Sequence, residues 1–166
     1  HKKYGEYFLF ALFLNSTFLI QDFYSIQIGL FLRAFFIFVY SITHFKILKI
    51  PSSVTFNGWG LKISSLFLFL GYFFAGVFPE YQLSFLHLSY IGGFSLITLM
   101  IATRVCLAHS GAGTEYELSG KVVGPTLFFL LFSAIFRAAS FSNPSSIFIL
   151  ISAILFFLAT TMWYFL

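Results

Sequence analysis

"HLSYIGGFSLITLMIATRVCLAHSG", His87 to Gly111, carries a single residue of fixed charge, Arg104, and otherwise reads as an apolar run with small residues at Gly92 and Gly93. A helix needs about 17 to 25 predominantly apolar residues to cross a hydrocarbon core of about 30 Å, whereas membrane strands alternate polar and apolar residues over shorter segments. The stretch does not alternate. It therefore reads as a membrane-crossing helix and not as part of a barrel.

The same texture extends outward along the chain. Of the 166 residues, 60% are hydrophobic and 8% charged, with 27 Phe and a mean hydropathy of +0.97. A soluble domain carries about 25% charged residues, and this chain has too few to cover a water-facing surface. The composition excludes soluble classes and predicts an all-α polytopic transmembrane helix bundle, residues 1–166 forming a single membrane domain in contact with the lipid bilayer. The net charge of +4 does not suggest nucleic acid as a partner and is better read for topology. The one cysteine, Cys106, excludes an internal disulfide.

The apolar runs are Tyr7 to Ile20, Phe23 to Thr43, Ile63 to Phe78, Leu83 to Ala108, Pro125 to Phe141 and Ser145 to Leu166. About six spans follow, separated by "QD", the longer "HFKILKIPSSVTFNGWGLK", "PEYQ", "SGAGTEYELSGKVVG" and "SNPS". Pro51, Pro79, Pro125 and Pro144 fall at or beside the breaks, where early helical positions need no N–H partner. With six spans, Lys2, Lys3, Lys46, Lys49, Lys62 and Lys121 gather at one end with Arg104 close by, and only Arg137 lies near the other. The positive-inside rule predicts that the Lys-rich end, with His44 and His109, is cytoplasmic and that His87 lies near the opposite face. The chain starts at His1 and is read as part of a longer protein.

The few polar residues inside the runs are the candidates for chemistry. Arg33, near the middle of the second run, costs roughly 2.5–3.5 kcal/mol at a helix centre on insertion scales, so it is expected to face the bundle interior or an anionic partner. Arg137 reads as an interfacial residue. Imidazole is a common ligand of haem iron and copper, which marks His44, His87 and His109. His87 and His109 lie about 33 Å apart at about 1.5 Å of rise per helical residue, so one metal cannot take both. His44 and His109 end neighbouring runs on one side, and could meet if the second and fourth spans are adjacent. The alternative reading for each is an ordinary interfacial or capping residue. Gly92 and Gly93 permit close approach of either a neighbouring helix or a flat ligand. Gly111 and Gly113 read as a helix stop. Cys106 and His109 are an i, i+3 pair on neighbouring helix faces. Neither a catalytic carboxylate pair nor a phosphate-binding glycine loop is present in the sequence.

The order His87, Gly92, Gly93, Thr98, Met100, Arg104, His109, Ser110, Gly111 resembles the signature of NnrS-type proteins, bacterial membrane proteins linked to haem, copper and the response to nitric oxide. An arginine in the next run, "LFSAIFRAAS", and the tryptophan of "TTMWYFL" are consistent with the resemblance. Ala108 stands where the family usually has Gly, and Ala112 where an Arg often follows. The resemblance implies a multi-pass protein of the bacterial inner membrane, this chain corresponding to the C-terminal half of about twelve spans. It implies haem and copper as cofactors, with His87, His109 and His44 as metal ligands, and Arg104 and Arg33 as partners of haem propionates, beside Gly92 and Gly93. Nitric oxide is the implied small-molecule partner. A different class also fits the residues: a transporter or structural bundle in which Arg33 and the histidines line a polar path.

Overall fold

A computed structural model describes residues 2–44, 47–49, 55–111, 120–121, 123–141 and 146–165. These residues form helices and contain no strand. Helix α1 (Lys2–Phe23) turns at Tyr24 and Ser25 into α2 (Ile26–Thr43), and α3 (Phe56–Val77) follows. A short 3-10 turn, Pro79–Tyr81, leads into α4 (Gln82–His87), which continues through a π-helical segment, Leu88–Ser95, into α5 (Leu96–Ser110). Helices α6 (Val123–Ala139) and α7 (Ser146–Tyr164) complete the chain.

Taken as one crossing, α4, the π segment and α5 make the fourth of six, which agrees with the expected helical membrane bundle. Four crossings, Ile26–Thr43, Phe56–Val77, Pro79–Ser110 and Ile147–Tyr164, are long and apolar enough to span a bilayer, and Val123–Ala139 is a shorter apolar helix. Ring contacts fix the directions. Tyr7 meets His44 and Phe13 meets Phe36, so α1 and α2 are antiparallel. Phe38 meets Phe69 and Phe31 meets Phe73, so α2 and α3 are antiparallel as well. Trp163 Nε1 donates to Thr103 Oγ1 at 2.8 Å, which puts the ends of α5 and α7 together.

Helix α3 is the centre. It packs against α2, α4, the π segment, α5 and α6, while α1 leans on α2 and α7 on α6. Its interior stripe is small or slender, with Gly60, Ser64, Ser65, Leu68, Gly71 and Ala75 all buried. Between membrane helices there is little hydrophobic driving force, so close backbone approach and hydrogen bonds hold the contacts. At Gly71 the approach is tightest: an added Cβ would lie 2.6 Å from the Ser89 nitrogen and 2.9 Å from the Phe85 oxygen. Ser89 Oγ in turn donates to the Leu68 carbonyl at 3.0 Å. A second bond pair joins α6 and α7, where Ser133 Oγ donates to Ser152 O at 2.8 Å and Ser152 Oγ to Ser133 O at 2.9 Å. The outward faces carry exposed Phe, Leu and Ile, such as Phe8, Leu19, Leu150 and Phe157, which hydrocarbon can cover.

Two boundaries depart from the sequence expectation. "QD" was the expected first break, yet Gln21 and Asp22 lie inside α1, because Gln21 Oε1 accepts from Arg33 Nη2 at 3.0 Å and is held within the bundle. Helix α3 starts at Phe56 instead of Ile63, because the Thr55 hydroxyl accepts the Gly58 N–H at 3.0 Å and caps an earlier turn. Pro51, Pro144, Lys46 and Gly113 lie outside the described residues.

Gly71→Ala is expected to lower unfolding stability by about 1–3 kcal/mol, since its new methyl meets the backbone at Ser89 and Phe85 as well as the Ser89 hydroxyl. Gly5→Ala, where an added Cβ meets nothing within 4 Å, is expected to leave stability unchanged or raise it. Thermal unfolding of both variants in one detergent checks the pair.

Candidate functional site

The histidine and the arginine at the end opposite the lysines come together. His87 is the last residue of α4 and Arg137 lies in the last turn of α6. Imidazole Nδ1 is 2.6 Å from the Leu83 carbonyl oxygen, and Nε2 is 3.4 Å from Arg137 Nη2. A carbonyl only accepts and a guanidinium only donates. In this arrangement Nδ1 donates to the carbonyl and Nε2 accepts from the guanidinium. Such a carbonyl-anchored imidazole with its far nitrogen free of a proton is the state in which His binds metals.

The backbone around His87 explains its placement. Directly after it the chain takes the wider π turn, a feature often found at functional sites. Gly92 and Gly93 lie in that segment and are buried. Added Cβ atoms would lie 2.2 Å from Phe67 Cδ1 and 2.5 Å from Leu68 Cγ, so both glycines face α3. Their placement serves helix packing. The Tyr90 ring stands edge-on to His87, with centroids 6.3 Å apart.

Beside His87 and Arg137 lies an open groove of about 240 Å³ whose other walls are Ile91, Ile149, Ser152, Ala153 and Phe156. A second lobe of about 240 Å³ shares His87, Arg137 and Ile149 and adds Leu83, Ser84 and Ser140. One end is polar, the other apolar. Arg137 was expected to be merely interfacial, because 50 residues separate it from His87 and no local spacing joins them. The usable signal was topological, since His87 and Arg137 were the basic groups assigned to the same face.

Arg33 faces the interior and is 4% exposed. Its Nε donates to Thr17 Oγ1 at 3.2 Å and its Nη2 to Gln21 Oε1 at 3.0 Å. The guanidinium lies 3.5 Å from the centre of the Phe18 ring and 5.0 Å from that of Tyr72, a cation–π arrangement. Neutral groups of α1 thus take the place of a counter-ion. Gly29, one turn before Arg33, lets α1 come close enough, since an added Cβ there would lie 2.6 Å from Gln21 Cβ.

The remaining candidates are at the Lys-rich end. His44 caps α2, stacks on Tyr40 at 4.4 Å between centroids, and lies 5.3 Å from Tyr7. Its Nδ1 is 2.7 Å from Thr43 Oγ1. His109, Arg104 and Cys106 are exposed on α5. Gly111 ends that helix with φ 70°, the left-handed stop expected from the sequence. Helix α5 packs on α3 and α6, and the main neighbours of α2 are α1 and α3. The intervening α3 stands against the adjacency that a shared His44–His109 site requires. Among the described residues no three His, Cys, Asp or Glu side chains gather as a metal cage. Glu115, Glu117 and Ala112 lie outside the described residues.

The family model described as NnrS protein matches residues 6–166. No curated protein and no solved structure matches the chain.

Gln21→Leu leaves a buried guanidinium N–H without its acceptor and is expected to cost about 1.5–3 kcal/mol. Gln21→Glu keeps an acceptor and is expected to retain stability. Unfolding curves for the two variants decide the matter, and a Gln21→Leu protein as stable as the parent contradicts the role given to Arg33.

Proposed function

Since the chain belongs to the NnrS family, we propose that this multi-pass membrane protein serves the bacterial response to nitric oxide as a haem- and copper-associated protein. The observation that carries the reading is His87, an imidazole anchored through Nδ1 to Leu83 O with Nε2 facing Arg137 at the edge of the bundle. The donor set fits haem better than it fits copper. Haem iron can be held by a single protein imidazole, whereas copper takes a set of ligands, and the described residues supply no such cage.

In this proposal His87 would hold haem iron through Nε2, with the Leu83 carbonyl keeping the ring oriented and Arg137 as the neighbouring cation. Haem, when bound, would supply nitric oxide binding. His109 and His44, at the Lys-rich end, are the further imidazoles available for copper or a second haem, and Arg104, on the same helix as His109, is the cation proposed for a propionate. Arg33 is spent on Thr17 and Gln21, so its part is to lock α1 to α2 and not to hold a propionate. That engagement also weighs against the transport path. Gly92 and Gly93 act by bringing the π segment onto α3. The proposal places the domain in the inner membrane with its Lys-rich end cytoplasmic, as the C-terminal half of a longer protein.

A visible spectrum with metal analysis of the intact protein tests this. The purified protein is expected to show a Soret band that His87→Ala removes or shifts, while His109→Ala and His44→Ala change copper content or a second haem signal. A protein without Soret band and without copper overturns the proposal, and full cofactor content in all three variants overturns the ligand assignment.

A further inference from the structure

We propose that the groove at Arg137 is a binding site for an anionic phospholipid of the surrounding bilayer, with the lipid phosphate on the guanidinium and an acyl chain along Ile91, Ile149, Ala153 and Phe156. Arg137 is half-buried in the last turn of α6, and its guanidinium meets His87 Nε2 at 3.4 Å. Among the described residues no carboxylate pairs with it. Glu80, at the same end of the bundle, is exposed in the 3-10 turn. A guanidinium near the end of a membrane helix has a fixed charge and a planar fork of donors suited to phosphate oxygens, and the level of the helix ends is where lipid phosphates lie.

The walls of the groove argue for a lipid over a free phosphate. Around Arg137 the lining is mixed, with Ser84, Ser140 and His87 beside Leu83 and Ile149. One lobe further it turns apolar, with Ile91, Ala153 and Phe156, and the adjacent α7 surface exposes Ile154 and Phe157 to the hydrocarbon side. A charged head followed by an apolar trough is complementary to an amphiphile that reaches it from the membrane plane. The site does not depend on the cofactor reading, because no carboxylate among the described residues pairs with Arg137 whether or not His87 carries a metal.

The test reconstitutes the intact protein into nanodiscs of phosphatidylcholine doped with phosphatidylglycerol and counts retained lipids by native mass spectrometry. The parent protein is expected to retain phosphatidylglycerol over phosphatidylcholine, and Arg137→Gln to lose that preference by about tenfold or more, as expected for a charge-assisted hydrogen bond. Arg137→Lys keeps a charge and is expected to hold part of the preference, which separates lost binding from lost folding. Ala153→Leu, on the exposed wall of the apolar lobe, fills the trough with Arg137 intact and is expected to weaken retention. Equal retention of both lipids by the parent protein, or an undiminished preference in Arg137→Gln, overturns the proposal. A preference lost in Arg137→Gln but unchanged in Ala153→Leu overturns the acyl-chain site and leaves a phosphate site alone.

Discussion

Hydrocarbon offers no hydrogen-bond partner, so polar groups inside the crossings gain by finding one within the protein, and most do, the buried Asn57 amide and Thr126 hydroxyl being the exceptions among the described residues. This constraint orders the structure from the smallest groups upward. Ser64 and Ser65 donate to Leu61 O, and Thr103 donates to Leu99 O while accepting from Trp163. Ser133 and Ser152 exchange bonds across α6 and α7. Arg33 is the extreme case, since it brings a full charge inside and is met by Thr17, Gln21 and two aromatic faces.

The same constraint explains how a structural rule produces a candidate chemical site. Pairing requires close helices, and close helices require small residues at Gly29, Gly71, Gly92 and Gly93. Where the π segment closes onto α3, the turn before it leaves His87 at the edge of the bundle beside Arg137. There the polar groups are only partly matched. His87 is held through Nδ1 by a carbonyl and meets Arg137 only at 3.4 Å through Nε2, and Arg137 has no carboxylate among the described residues. Fully satisfied groups hold the fold together, and incompletely satisfied ones are where a ligand gains most from binding.

Much of this was legible in the sequence. The scarcity of charge and the length of the apolar runs indicated a helical membrane bundle, and the order of His87, Gly92, Gly93, Arg104 and His109 pointed to the family. What local reading could not supply was partnership across the chain. Gln21 looked like a break because a glutamine in an apolar run reads as a loop, and only its bond to Arg33 makes it helical and internal. Asn57, Gly58 and Gly60 looked like a connection, although they form the first turn of α3 under the Thr55 cap. Arg137 looked interfacial because its distance in sequence hid its nearness to His87. Arg33 was correctly expected to face inward, but hydropathy alone does not distinguish an arginine waiting for an anion from one already held by neutral groups.

The account turns most directly on the protonation state of His87, which nitrogen-15 NMR of histidine-labelled protein, assigned through His87→Ala, measures without reference to any cofactor. The structure predicts the tautomer with its proton on Nδ1 and its lone pair on Nε2. A ring whose proton sits on Nε2 would contradict both the Leu83 anchor and the ligand role built on it.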